Sequence, residues 1–303
     1  MRLADQIAAA TACIAPHIRR TPVARLDIQG MSVEIKLEHM QHTGSFKARG
    51  AFNTLLSGAV PDAGLVAASG GNHGAAVAYA AHVLGHRARI YVPEIAGASK
   101  IALIRRLGAD LHVVPGAYSE ALEQAQAYEA ATGAMQIHAY DAPATVAGQG
   151  TCMTEWEEQG LDADTVLIAV GGGGLIAGAL GWLEGRRKVV GVEPETARAL
   201  QAAQKAGRPV DVEVSGVAAN ALGARRIGQI CFDLARENPA VTVSDTQITA
   251  AQRWLWQEAR LLVEPAGATA LAAVMSGAYV PEPDERLAVL ICGGNIAPDP
   301  MGV

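Results

Sequence analysis

The chain has 303 residues, of which 50% are apolar and 18% charged, and its formal net charge is −6. This composition predicts a folded protein with a sizeable core, and the acidic balance without a dense basic run argues against nucleic-acid binding. No stretch reaches the roughly 18 apolar residues of a membrane span, and the 4 scattered cysteines favour a reducing, cytoplasmic location.

Short apolar runs rich in β-branched residues alternate with alanine-rich segments. The runs predict strands at 32–38, 64–69, 88–93, 110–115, 165–170, 188–193 and 287–294. The alanine-rich segments predict helices at 73–85, 99–108 and 118–133, which end at Gly85, Gly108 and Gly133. This alternation predicts an α/β protein with mostly parallel sheets flanked by helices, whose ligands bind at the carboxyl ends of strands.

The first segment that suggests chemistry is GSFKARG at 44–50, where Lys47 follows a strand and begins an apparent helix. Crowding beside the positive end of a helix dipole would lower the pKa of Lys47, and Arg49 would act the same way if it pointed inward. An unprotonated lysine forms Schiff bases with carbonyl compounds. A lysine that only caps the helix is the alternative.

The second segment is SGGNHG at 69–74, between a predicted strand and a predicted helix. Ser69 and the backbone amides of this loop are suited to a carboxylate, and Asn72 offers both a donor and an acceptor to a ring oxygen. A plain turn is the alternative, and His73 taken alone is more typical of a structural residue.

The third segment is the run of four glycines at 171–174, between a predicted strand and a helix that starts near Leu175. Backbone N–H groups at such a turn bind phosphate. Gly172, Gly174 and Ala177 also fit the relaxed dinucleotide fingerprint, and Glu193 follows after about twenty residues, where a ribose-binding acid belongs. A nicotinamide-dinucleotide reductase therefore remains an alternative at this point.

The fourth segment is CGGN at 292–295, which ends the last predicted strand. Cys292 is either a small buried apolar residue or the partner of a heteroaromatic ring nitrogen.

Taken in order, these segments resemble the pyridoxal-phosphate enzymes of fold type II, the tryptophan-synthase β type. The closest match is the threonine/serine dehydratase and serine racemase family. The matching motifs are SFKARG at 45–50, SGGNHG at 69–74, GGGGL at 171–175, EPAG at 264–267 and CGGN at 292–295. Because they span nearly the whole chain, the resemblance displaces the dinucleotide interpretation.

The resemblance implies that pyridoxal 5'-phosphate is held as a Schiff base by Lys47, the catalytic residue. Phe46 would lie against the cofactor ring, Asn72 would bond its hydroxyl, and Cys292 would face its nitrogen. The cofactor phosphate would be bound by Gly171, Gly172, Gly173, Gly174 and Leu175. The substrate carboxylate would be bound by Ser69, Gly70, Asn72, His73 and Gly74. A large domain from residues 1–63 and 142–303 would carry a smaller domain inserted at 64–141.

The implied reaction is α,β-elimination from a β-hydroxy amino acid such as threonine or serine, which gives a 2-keto acid and ammonia. A neutral thiol at Cys292 would disfavour transamination. Gly70 stands where resembling serine racemases carry a serine that acts as the acid on the opposite face of the cofactor. Its absence favours elimination over racemisation, and β-replacement is a further alternative. Tyr140 is expected to line the substrate pocket.

Three other expectations come from the resemblance. The family's divalent-cation site would use Glu193, but Ala199 stands at its later acidic position, so a cation is uncertain. Relatives are commonly homodimers. Biosynthetic threonine dehydratases carry an additional regulatory domain, and feedback control of that type is not expected here.

Overall fold

The computed structural model describes residues 1–96, 98–116 and 118–296. The helices are α1 Leu3–Ile14, α2 Lys47–Ser57, α3 Asn72–Leu84, α4 Ala98–Arg106, α5 Tyr118–Thr132, α6 Pro143–Glu158, α7 Gly174–Leu183, α8 Ala199–Ala206, α9 Ala219–Leu222, α10 Gln229–Ala235, α11 Asp245–Ala259 and α12 Pro265–Met275. The strands are β1 Val23–Ile28, β2 Met31–Lys36, β3 Leu65–Ala68, β4 Ala88–Pro93, β5 Asp110–Val114, β6 Met135–Gln136, β7 Thr165–Ala169, β8 Lys188–Pro194, β9 Ala240–Val243 and β10 Leu287–Leu290. No helix of these residues is long and apolar enough to cross a membrane.

The larger sheet has the strand order β1-β2-β10-β7-β8-β9. Among its described strands only the β1–β2 pair is antiparallel, and β10 inserts in parallel between β2 and β7. Every residue of β7 and β10 is buried, since helices cover both faces of the sheet, and this is why both strands are continuous apolar runs. The insertion of β10 brings the segment after residue 290 beside the segment before Lys47.

The smaller sheet is fully parallel, with the strand order β5-β4-β3-β6. Its four strands all fall between residues 64 and 141. The division of the chain into two domains at these boundaries stays a prediction.

Each predicted strand and helix corresponds to an element of the structure, and the α/β class is confirmed. The three glycines predicted to end helices adopt left-handed φ values of 74° at Gly85, 82° at Gly108 and 72° at Gly133. A glycine adopts this conformation without steric cost, and Gly85 donates its N–H to the carbonyls of Ala81 and His82 in the last turn of α3. Strands β1, β6 and β9 were not predicted.

Candidate active site

The segment after β10 holds the segment before α2. The N–H of Phe46 donates to the carbonyl of Cys292 at 3.2 Å, and Gly294 donates to Gly44 at 2.9 Å. Ser45 and Gly293 form a β-bridge between these bonds. Helix α2 then begins at Lys47, so the lysine is fixed next to Cys292 even though the two lie far apart in the chain.

A recess opens at the carboxyl ends of β3, β7 and β10, where parallel sheets bind ligands. It is lined by Phe46, Lys47, Asn72, Tyr140, Ala169, Gly171, Gly172, Gly173, Gly174, Leu175, Ala221, Leu222, Ala266 and Cys292. Every residue predicted to bind the cofactor is in this set, and so is Tyr140. The structure therefore brings these residues together, while their individual cofactor contacts stay predictions.

The amine of Lys47 lies in the recess and donates to the carbonyl of Ala139 at 2.7 Å. Burial lowers its pKa to about 8. Arg49 has no part in this shift, because its side chain does not point towards Lys47. Residues two apart on a helix are separated by about 200°, and the Arg49 guanidinium lies in a buried cluster with Glu38 and Glu155 instead.

The glycine run forms a loop in which side chains do not fit. A Cβ at Gly172 would enter the ring of Tyr140, and one at Gly171 would lie 2.9 Å from Cα of Leu222. Gly173 has a φ of 92°. Helix α7 begins at Gly174, and its first N–H groups have no partner within the helix. The loop thus presents bare amides and the positive end of a helix dipole, which is the donor set that a phosphate requires.

Cys292 is 3% exposed, and burial raises the pKa of its thiol well above the ordinary value. The thiol is therefore neutral at physiological pH, and its Sγ lies 3.4 Å from the carbonyl of Ala266. A neutral thiol, an unpaired helix terminus and a buried amine of lowered pKa fit pyridoxal phosphate, which needs a partner for its ring nitrogen, for its phosphate and for its aldehyde.

The predicted carboxylate loop lies between β3 and α3. Oγ of Ser69 accepts the N–H of Gly71 at 3.2 Å, and α3 begins at Asn72. The N–H groups at the start of α3 have no partner within the helix, so they suit a carboxylate. The side chain of His73 is buried and bonds the carbonyl of Ile137 at 2.9 Å, and burial together with Lys47 lowers its pKa to about 3. A neutral, engaged imidazole leaves only the backbone of His73 for a substrate.

Gly70 has no room for a side chain, because a Cβ there would collide with Ala96 and would lie 3.0 Å from Val92.

Glu193 is fully buried at the end of β8. Its two carboxylate oxygens accept the N–H groups of Leu200 at 2.7 Å and Gln201 at 3.0 Å, and burial raises its pKa to about 7. It thereby binds the start of α8, which removes the reason to assign it to a ribose. No cluster of three or more His, Cys, Asp or Glu side chains in the described parts of the chain is arranged for a metal ion. The cation role of Glu193 stays a prediction.

No role was predicted for Glu264 or Asn295, although both lie in motifs that match the family. Glu264 is buried and accepts Nδ2 of Asn72 at 2.5 Å. Asn295 donates to Oδ1 of Asn72 at 2.8 Å. Their position in the EPAG and CGGN motifs was the available signal, but the contact itself joins residues 192 positions apart and leaves no local pattern.

Comparisons with known proteins agree with this geometry. Residues 14–293 match the family described as pyridoxal-phosphate dependent enzyme. The chain is 36% identical to L-threonine ammonia-lyase of Thermotoga maritima, over 89% of this chain and 69% of that protein. It is 37% identical to phenylserine dehydratase of Ralstonia pickettii, over 95% of this chain and 92% of that protein. The crystal structure of T.th. threonine deaminase aligns with a TM-score of 0.88 and 37% identity, over 98% of this chain and 99% of that one.

Proposed function

The chain belongs to the family of pyridoxal-phosphate-dependent enzymes, as the motifs suggested, and we propose that it is an ammonia-lyase for a β-hydroxy amino acid such as threonine or serine. The products are a 2-keto acid and ammonia. The observation that carries the proposal is the amine of Lys47, buried in one recess with the glycine loop and the neutral thiol of Cys292. The reactions named for the similar proteins support the choice of elimination.

The residues of the recess divide the binding of the cofactor among them. Lys47 would hold the cofactor aldehyde, and the amides of the glycine loop with Leu175 would hold its phosphate. The ring face would be contacted by Phe46, the ring hydroxyl by Asn72 and the ring nitrogen by Cys292. Bound pyridoxal phosphate supplies an electron sink that makes the α-proton of an amino acid acidic.

Once the substrate amine has displaced Lys47 from the cofactor aldehyde, the freed amine of Lys47 would accept this proton at Nζ. With an ordinary pKa, about one lysine in three thousand is unprotonated at pH 7, whereas a pKa of about 8 makes it about one in ten. The lowered pKa therefore raises the unprotonated fraction of Lys47, the form that can accept a proton, about several hundredfold. The carbonyl of Ala139 accepts a hydrogen bond from the ammonium form and holds it in the recess.

The surroundings favour elimination over racemisation. Racemisation requires a second proton-carrying group on the opposite face, and Gly70 provides none. Ala96 and Val92 occupy the space that a side chain at position 70 would need. A single base suffices for loss of the β-hydroxyl, so the site needs no partner for Lys47.

The substrate carboxylate is assigned to the loop from Ser69 to Gly74, through the backbone amides at the start of α3.

We also propose that the protein is a homodimer and that it is located in the cytoplasm. Analytical ultracentrifugation and cell fractionation test these two points separately from the reaction.

The function is tested by keto-acid release from L-threonine and L-serine without any added nucleophile. Wild type loaded with pyridoxal phosphate should release keto acid and ammonia in equal amounts, and Lys47→Ala should release neither. Lys205→Ala, on the exposed end of α8, is the matched control and should behave as wild type. Full turnover by Lys47→Ala, or turnover that requires a second nucleophile, would contradict the proposal.

A further inference from the structure

The side-chain amide of Asn72 is held from two sides. Its Nδ2 donates to Oε1 of Glu264 at 2.5 Å, and its Oδ1 accepts from Nδ2 of Asn295 at 2.8 Å. Nδ2 of Asn295 also donates to the carbonyl of Thr43 at 2.7 Å. These contacts form a chain of hydrogen bonds along the wall of the recess, which Asn72 itself lines.

Only one orientation of the Asn72 amide satisfies both partners. The carbonyl of Thr43 can only accept, so Asn295 must present its NH₂ group there, and the same group faces Asn72. Oε1 of Glu264 accepts whether the carboxyl is ionised or carries its proton on the other oxygen. A reversed Asn72 amide would set two NH₂ groups against each other and two oxygens against each other.

The position of Glu264 is itself constrained. It is 2% exposed at the start of α12, and a Cβ on Gly293 would collide with its Oε1. Its N–H donates to the carbonyl of Gly293 at 3.3 Å. Lys100, which is 5% exposed, attracts the carboxylate from α4. Burial raises the pKa of Glu264 to about 7, but its acceptor role is the same in both charge states.

We propose that Glu264 and Asn295 are positioning residues that fix the Asn72 amide so that its remaining N–H is available to the recess. This N–H of Asn72 can only donate, and it donates a stronger hydrogen bond to an ionised oxygen than to a neutral hydroxyl. It therefore favours the ionised form of the cofactor's ring oxygen. The inference rests on the proposed function in one respect, namely that the ligand of the recess is pyridoxal phosphate. Glu264 and Asn295 do not themselves line the recess.

The test is a double-mutant cycle on cofactor binding. Asn295→Asp replaces the NH₂ group with an acceptor of the same shape and so removes the donor that orients Asn72. We expect the apparent Kd of the apoprotein for pyridoxal phosphate to rise about tenfold, the effect of one well-placed hydrogen bond. In the Asn72→Ala background the same substitution should change the Kd less than about twofold, because Asn295 then has nothing to orient.

Glu264 provides a matched pair of variants. Glu264→Gln keeps an acceptor of the same shape and should bind within about threefold of wild type, whereas Glu264→Leu removes the acceptor and should weaken binding about tenfold. A second readout is the midpoint pH of the visible absorption change of the loaded protein. It should move upward in Asn295→Asp and Glu264→Leu, since the ring oxygen loses its donor, and a purely structural role would leave it unchanged. Thermal unfolding checks that each variant is folded.

Equal effects of Asn295→Asp in the wild-type and Asn72→Ala backgrounds would overturn the inference, as would unchanged binding in both Asn295→Asp and Glu264→Leu. Failure of the proposed function looks different, because wild type would then bind pyridoxal phosphate in this titration but release no keto acid from threonine or serine.

Discussion

Replacing Arg49 with methionine removes the cation at the centre of a buried ionic cluster behind Lys47. Arg49 is fully buried, and its guanidinium bonds both oxygens of Glu38 at 2.7 Å, Glu155 at 2.9 Å and Thr151 at 3.3 Å. Lys36, a second buried cation, bonds Glu155 at 2.6 Å. The two cations and two carboxylates are balanced, so the substitution leaves one buried carboxylate without a counter-charge.

The expected loss in the free energy of unfolding is about 3–5 kcal/mol, the usual effect of removing one partner from a buried ion pair. Arg49→Lys should lose less free energy of unfolding than Arg49→Met, because it keeps the positive charge. Some loss should remain, because lysine cannot make the bidentate contact with Glu38. Arg20→Met removes a nearby exposed pair with Glu158 and should change stability by less than about 1 kcal/mol.

Urea unfolding at several pH values measures these differences. Burial alone would raise the pKa of Glu38, but Arg49 lowers it overall, so in wild type this group stabilises the fold above its ordinary pKa and the effect is lost as the pH falls. Without Arg49, burial prevails and the pKa rises, so the variant gains stability relative to wild type as the pH falls. The difference between the two should therefore narrow from about pH 7 towards about pH 4. An Arg49→Met variant within about 1 kcal/mol of Arg20→Met at neutral pH, or a difference that widens in acid, would show that Arg49 does not balance a buried carboxylate.

Three further outcomes are expected. Gly172→Ala places a methyl group in the ring of Tyr140 and should weaken pyridoxal-phosphate binding at least about tenfold in a fluorescence titration. Gly58→Ala, where a methyl group has room, should leave the affinity unchanged, and equal affinities of the two variants would show that the glycine loop tolerates a side chain. In the apoprotein, acylation of Lys47 followed by mass spectrometry should rise with pH through a midpoint of about 8, and a midpoint near that of exposed lysines would show that the recess does not lower its pKa. Gly70→Ser should reduce turnover without releasing D-amino acid on chiral chromatography, because neighbouring side chains fill its space, and a gain of racemase activity would count against that packing.

The parts of the site that were predictable from sequence have local signals. Lys47 begins helix α2, and the glycine loop leads from β7 into α7, so the chemistry of each lies within a few consecutive residues. The glycines that end helices are signalled in the same way, because the left-handed conformation costs glycine less than any other residue.

The parts that were not predictable depend on distant partners. Arg49 points away from Lys47 because Glu155, 106 positions later, lies on the other side of α2. Glu193 binds the start of α8 because the chain after β8 turns back and places the N–H groups of Leu200 and Gln201 against its carboxylate. Strand β1 was missed because only Ile28 of its residues is fully buried, so its apolar pattern is weak.

A single amine, that of Lys47, is proposed to hold the cofactor. Reduction of the pyridoxal-phosphate-loaded protein with borohydride, followed by peptide mapping, tests it directly. A single stable pyridoxyl phosphate adduct is expected on the peptide that contains Lys47. An adduct on another lysine, such as the buried Lys100, or no adduct at all, would contradict it.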